Sequence, residues 1–90
     1  MIRNLSAINY SRKFDKQLKR APLEVKTAFL KRRELFIQDQ FHQQLNNHKL
    51  SGKFKNYRSI NITGDWRAIY SEYDDTIVFE ILGTHSQLYK

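Results

Sequence analysis

Three β-rich runs follow one another with almost nothing between them: YRSINIT at 57–63, DWRAIYSEY at 65–73 and TIVFEIL at 76–82. Gly64 alone separates the first two, and Asp74 and Asp75 separate the second from the third. Parallel neighbours need a crossover of about a dozen residues or more, so connections this short require antiparallel pairing. The third run is apolar on both faces, as expected of a central strand. The chain therefore ends in a meander, and whatever precedes it has to pack on that sheet.

Upstream, LSAINY at 5–10 alternates loosely and reads as a first strand. Ser11 stands where an N-cap belongs, ahead of RKFDKQLKRA, in which Phe14 and Leu18 lie one turn apart. Pro22 cannot continue that helix but suits the first turn of the next. From Leu23 to about Phe41, Val25, Phe29, Phe36 and Ile37 keep helical spacing beside a charged face that includes KRRE at 31–34. Those charges read as a solvated face. Residues 42–56 are polar and contain Gly52, which predicts a loop. The order is β-α-α-β-β-β. It predicts an α+β fold: a small antiparallel sheet with a helical hairpin on one face, leaving the other face open.

Ninety residues make one domain, 1–90, with a thin core. The sequence has no cysteine, so disulfides and thiolate-held metals are excluded. It shows neither a secretory apolar segment at its start nor a run long enough for a membrane span, which predicts a cytoplasmic, soluble protein. Sixteen Lys and Arg against nine Asp and Glu give a formal +7 at pH 7. Such a surface attracts polyanions: nucleic acid, a ribosome or an acidic protein.

Strand alternation sorts the side chains. It puts Ile60, Ile62, Trp66, Ala68 and Tyr70 under the helices. Ser59, Asn61, Asp65 and Arg67 then point to the open face. His85 follows the third run directly, and His48 precedes the first by a short loop. Two imidazoles, a carboxylate and a guanidinium in a basic surround suit one reaction, attack by a ribose 2′-hydroxyl on its adjacent phosphate. Histidine serves as acid or base because its ordinary pKa lies near neutrality, and arginine offers a permanent planar fork to phosphate. Each residue also has a plainer reading. Asp65 follows a glycine, as turn residues do; His48 is a polar loop residue; Arg67 pairs with Glu72 or Asp65 across the sheet; His42 sits at a helix end without a role. A His–His–Asp zinc site lacks tight ligand spacing and is opposed by the positive surround. No metal or cofactor is expected.

HKLSGKFKNYRSINITGDWRAIY, followed by GTHSQLY, resembles the RelE/ParE superfamily of bacterial toxin–antitoxin toxins, most of all its YafQ branch. H-x-L-x-G, the Asp-Trp pair, Arg-x-x-Tyr and Gly-Thr-His-x-x-Leu-aromatic, all within 48–89, carry the resemblance. It implies a ribosome-dependent mRNA endonuclease that cleaves the codon in the A site, leaving a 2′,3′-cyclic phosphate and a 5′-hydroxyl. The active-site motifs fall on His48, Asp65 and His85, and the phosphate-contacting arginine on Arg67. His85 is then the proton donor to the 5′-oxygen, with Asp65 or His48 as base. Tyr89 falls on the final aromatic, which stacks on or positions the codon. Lys53, Lys55, Arg58, Asn61 and Trp66 complete the expected RNA contacts. The sequence departs from the YafQ pattern twice, with Asn61 in place of a histidine and Ile81 in place of an arginine. Arg58 or Lys53 is the expected substitute for the missing charge. The resemblance also implies an antitoxin whose acidic, amphipathic segment folds onto a monomeric toxin in a hetero-oligomeric complex. The competing readings are a catalytically weak binder of the same fold and a ParE-like gyrase inhibitor. The acid–base set argues against the latter.

Overall fold

A computed structural model describes residues 7–89. In chain order the elements are β1 (Ala7–Tyr10), α1 (Arg12–Arg20), α2 (Leu23–Gln38), β2 (His48–Lys49), β3 (Arg58–Asn61), β4 (Trp66–Tyr73), β5 (Thr76–Thr84) and α3 (His85–Leu88), with single 3₁₀ turns at Gln43–Leu45 and Gly52–Phe54. The expected strand start at Leu5 and Ser6 lies outside the described residues.

Ser11 caps α1 as its sequence position predicts. Its Oγ accepts from the Phe14 N–H at 2.9 Å and donates to the Glu80 carbonyl at 2.7 Å, so the same side chain starts the helix and ties it to β5. Such a cap is worth about 1 kcal/mol. Pro22 is the N-cap of α2 rather than part of its first turn. The second helix stops at Gln38, short of Phe41, because Asp39 turns extended and Gln40 folds inward. There the Gln40 Nε2 donates to the Tyr70 hydroxyl at 3.0 Å and to Glu72 Oε1 at 2.9 Å. A buried amide with partners outcompetes one more helical turn.

The sheet has five strands in the order β1-β5-β4-β3-β2. Strands β2 to β5 pair antiparallel, as their short connections require. The expectation of a wholly antiparallel sheet needs correcting at one edge: β1 runs parallel to β5, with Ala7 opposite Thr76 and Tyr10 opposite Phe79. The helical hairpin is the crossover that makes this possible. It packs on one face, where Phe14, Val25, Phe29 and Phe36 meet Ile60, Ile62, Ala68, Tyr70, Phe79 and Leu82. Phe79 is the hub: its ring lies 5.3–5.9 Å from those of Tyr10, Phe14, Phe29, Phe36 and Tyr70. Full burial of one such side chain stabilises by about 1.5–3 kcal/mol.

Register decides which residues share the other face. Ile69 lies opposite Ile81 but Tyr70 opposite Phe79, so Glu80 is the extra residue of a β-bulge. Across the sheet His48, Ser59, Ile69 and Ile81 form one row; Asn61, Arg67 and Gly83 form the next. This face was expected to be open. It is not: Ser59 and Ile69 are 0 % exposed. The segment after β2 and the C-terminal turn fold toward each other, with the Phe54 ring 6.2 Å from that of Tyr89.

Candidate functional site

What the covered face leaves is a cleft of about 490 Å³ between the 46–51 segment and the C-terminal turn, with Arg67, His85 and Tyr89 in its walls. Each wall has a local cause. Leu45, wholly buried, anchors a 3₁₀ turn. Asn46 then adopts the left-handed conformation (φ 46°, ψ 47°), which asparagine tolerates better than other side-chain-bearing residues. That reversal delivers His48 to the sheet edge opposite Ser59. On the far wall, β5 passes into α3 through a capping box: Thr84 Oγ1 accepts from the Gln87 N–H at 3.2 Å, and Gln87 Oε1 accepts from the Thr84 N–H at 2.9 Å. His85 is the first residue of that turn, and its N–H donates to the Asp65 carbonyl at 2.9 Å.

Three cleft groups have the makings of acid–base chemistry on a phosphate. The His48 Nδ1 lies 2.8 Å from the Asn46 carbonyl oxygen. A carbonyl only accepts, so in neutral His48 the proton sits on Nδ1 and Nε2 keeps its lone pair. Arg67 is held by one arm: its Nη1 donates to the carbonyls of Thr63 (3.0 Å), Gly64 (3.3 Å) and Trp66 (3.0 Å). Among the described residues its Nε and Nη2 have no hydrogen-bond partner, which leaves half of the fork for a ligand. The imidazole of His85 is exposed and rests against the Tyr89 ring, centroids 4.8 Å apart. Among the described residues, two buried oxygens on the same sheet face have no hydrogen-bond partner, Ser59 Oγ beside His48 and Asn61 Oδ1 beside Arg67.

The structure thus gathers His48, Arg67, His85 and Tyr89 of the residues singled out in the sequence. Asp65 is exposed in the β3–β4 turn and does not line the cleft; it meets the site through its backbone carbonyl. Arg58 lies on the helix side of the sheet, where its Nε donates to Asn47 Oδ1 at 2.7 Å and its guanidinium sits 5.2 Å from the Phe41 ring centre. Lys55 is exposed and lines neither this cleft nor its neighbour. Lys53 and Trp66 line a second cleft of similar size on the other side of α3, together with Lys13, Arg20, Leu82 and Leu88. Ile81 lies there too. Arg58 lines neither cleft, whereas Lys53 shares the second with Ile81; the first is lined by Lys49 besides Arg67. Among the described residues no group of three or more His, Asp or Glu is placed to hold a metal ion.

Sequence reasoning missed β2, α3 and the two asparagines before His48. A signal for α3 was present: Thr84-x-x-Gln87 is a capping-box spacing. Nothing in a polar stretch such as QQLNNHK announces a two-residue strand at a sheet edge.

A family model described as bacterial toxin of type II toxin–antitoxin system, YafQ, matches residues 6–90. The mRNA interferase toxin YafQ of Escherichia coli strain K12 is 40% identical over 43 residues, 48% of this chain and 47% of that protein. The chain thus matches about half the length of that curated relative. In three dimensions it is similar to crystalline YafQ from E. coli strain BL21(DE3), with a TM-score of 0.72 and 28% identity over 92% of this chain and 97% of the other. It is similar also to YafQ in the E. coli DinJ–YafQ toxin–antitoxin complex, with a TM-score of 0.69 and 27% identity over 92% and 96%.

Proposed function

The chain belongs to the YafQ family of bacterial toxins of type II toxin–antitoxin systems, and on that premise we propose that it is a ribosome-dependent endoribonuclease that cuts mRNA in the A site and so arrests translation. The observation that carries the proposal is the convergence of His48, Arg67 and His85, from three separate stretches of chain, on one cleft.

In the proposed reaction the 2′-hydroxyl gives its proton to His48 Nε2 and its oxygen bonds to the adjacent phosphorus. The P–O5′ bond breaks, and the departing O5′ takes a proton from the His85 imidazolium. The products are a 2′,3′-cyclic phosphate and a 5′-hydroxyl. The free half of the Arg67 fork faces the charge that builds on the phosphoryl oxygens. His48 is the better base of the two considered, because its Nδ1 contact leaves Nε2 able to accept, whereas the Asp65 carboxylate stands outside the cleft. Tyr89 supplies a ring on which a nucleobase can stack. Ribosome dependence belongs to the same proposal: positioning of the nucleotides, the larger part of the rate gain, is assigned to the decoding site.

For a partner, the second cleft has an apolar floor of Ala21, Leu82 and Leu88 under Lys13, Arg20 and Lys53. That chemistry suits an acidic, amphipathic antitoxin segment, in keeping with the crystallised complex of E. coli YafQ with DinJ. No helix among the described residues is long and apolar enough to cross a membrane.

The test is controlled induction in a bacterium with mapping of mRNA 5′ ends, for wild type and His85→Ala in parallel. The expected result is in-frame cleavage by the wild type and a loss of about 10²-fold or more in the variant, with ribosome binding retained. Equal cleavage by both would remove His85 as the acid. Ribosome binding by the wild type without any cut mRNA would leave a non-cutting binder of the same fold.

A further inference from the structure

His48 sits on a strand of two residues at the edge of the sheet, a poor platform for an atom that has to be placed to within half an ångström. What steadies it is its neighbour. The Asn47 side chain uses its whole amide: Nδ2 donates to the Gln40 carbonyl at 3.0 Å and to the Tyr70 hydroxyl at 2.7 Å, while Oδ1 accepts from Arg58 Nε at 2.7 Å. These bonds reach the chain just past α2, the core of β4 and the start of β3. The anchors are buried: Tyr70 is 0 % exposed and Gln40 5 %. We infer that Asn47 is a positioning residue, which locks the Asn46–His48 segment so that the Asn46 carbonyl holds His48 in its Nδ1–H tautomer with Nε2 bare toward the cleft.

Only an amide meets the requirement at this position. It needs two donors and an acceptor in one plane; aspartate lacks the donors and leucine lacks both. The tautomer matters because an Nε2–H imidazole has no lone pair in the cleft and cannot take a proton there. The inference rests on the proposed reaction for its consequence in rate, but not for its geometry.

The chain contains its own control. His42 Nδ1 accepts the Gln44 N–H at 3.1 Å, which fixes the opposite tautomer, Nε2–H. Nitrogen-15 and carbon-13 spectra of the full chain with labelled histidine, recorded at a pH where the rings are neutral, should therefore show His48 as Nδ1–H and His42 as Nε2–H. Finding wild-type His48 as Nε2–H overturns the inference without any variant. In Asn47→Ala, which keeps both His48 and Asn46, the His48 signal should move to a mixture of tautomers while those of His42 and His85 stay in place. Cutting on ribosomes should fall about tenfold or more, with ribosome binding unchanged. An unshifted His48 signal in a folded Asn47→Ala chain overturns the inference as well. If the wild type shows the expected tautomers yet never cuts, the reaction fails and the positioning of the ring by Asn47 stands.

Discussion

Arg67 is the residue on which geometry and chemistry press hardest. One nitrogen of its guanidinium already holds two carbonyls of the β3–β4 turn and that of Trp66 at the start of β4, and the remaining donors are what a phosphate would meet. A lysine carries the same charge on a single ammonium, which cannot bind the turn and reach the substrate together. Arg67→Lys should therefore lose cutting by about 10²-fold while keeping the fold, as single-turnover cleavage on programmed ribosomes and a thermal melt would show. Retained cutting would mean that charge alone suffices. At this scale much of the site was legible. Period-two alternation put Arg67 on the correct face because β4 is regular up to Ile69. The same logic overreached with Asp65, which sits in a turn where alternation has no meaning. Ser59 lay on the expected face, but alternation tells which side a residue takes and not what later chain will cover it.

Among the elements, the short α3 governs the site more than its length suggests, because it starts at His85 and is capped by Tyr89. Its packing depends on Gly83, which lies opposite Arg67 in the sheet. A Cβ at Gly83 would stand 3.1 Å from Gln87 Oε1 and 3.2 Å from Leu88 Cδ2. Leu88 is 5 % exposed and has little room to yield, and Gln87 is engaged in the capping box. Gly83→Ala should displace α3 and with it His85. Cutting is expected to drop by roughly tenfold or more for a stability loss of about 1 kcal/mol, as small overpacking gives; urea titration beside the cleavage assay checks this. A large stability loss with normal residual cutting would place the strain in the sheet instead. The meander and helical hairpin were readable because their signals are local: short connections, a serine cap, helical spacing. The β1–β5 pairing was not, since Ala7 and Thr76 are joined through nearly the whole chain and no local pattern encodes that partner. The bulge at Glu80 was equally hidden, because a run apolar on both faces gives alternation nothing to break.

For the molecule as a whole, the proposed function gives the +7 charge two surfaces to serve, the candidate cleft with Arg67 and the neighbouring cleft with Lys13, Arg20 and Lys53. Salt distinguishes what each one meets. Binding to ribosomes that neutralises rRNA phosphates releases counterions, and every two phosphates contacted lower the affinity about tenfold between roughly 50 and 200 mM salt. The second cleft mixes its cations with Ala21, Leu82 and Leu88, a composition for an apolar peptide with acidic flanks rather than for a phosphate backbone. Charge reversal at Lys13 and Arg20 should accordingly leave the salt dependence of ribosome binding nearly unchanged, because those side chains would not lie on RNA. The same variant should weaken its cognate antitoxin about tenfold, two rim charges at somewhat under 1 kcal/mol each. Equilibrium binding measured at several salt concentrations tests both halves. A clear fall in the ribosome salt slope would assign the second cleft to rRNA, and the single polyanion-binding surface that composition suggests would then describe the molecule better than two.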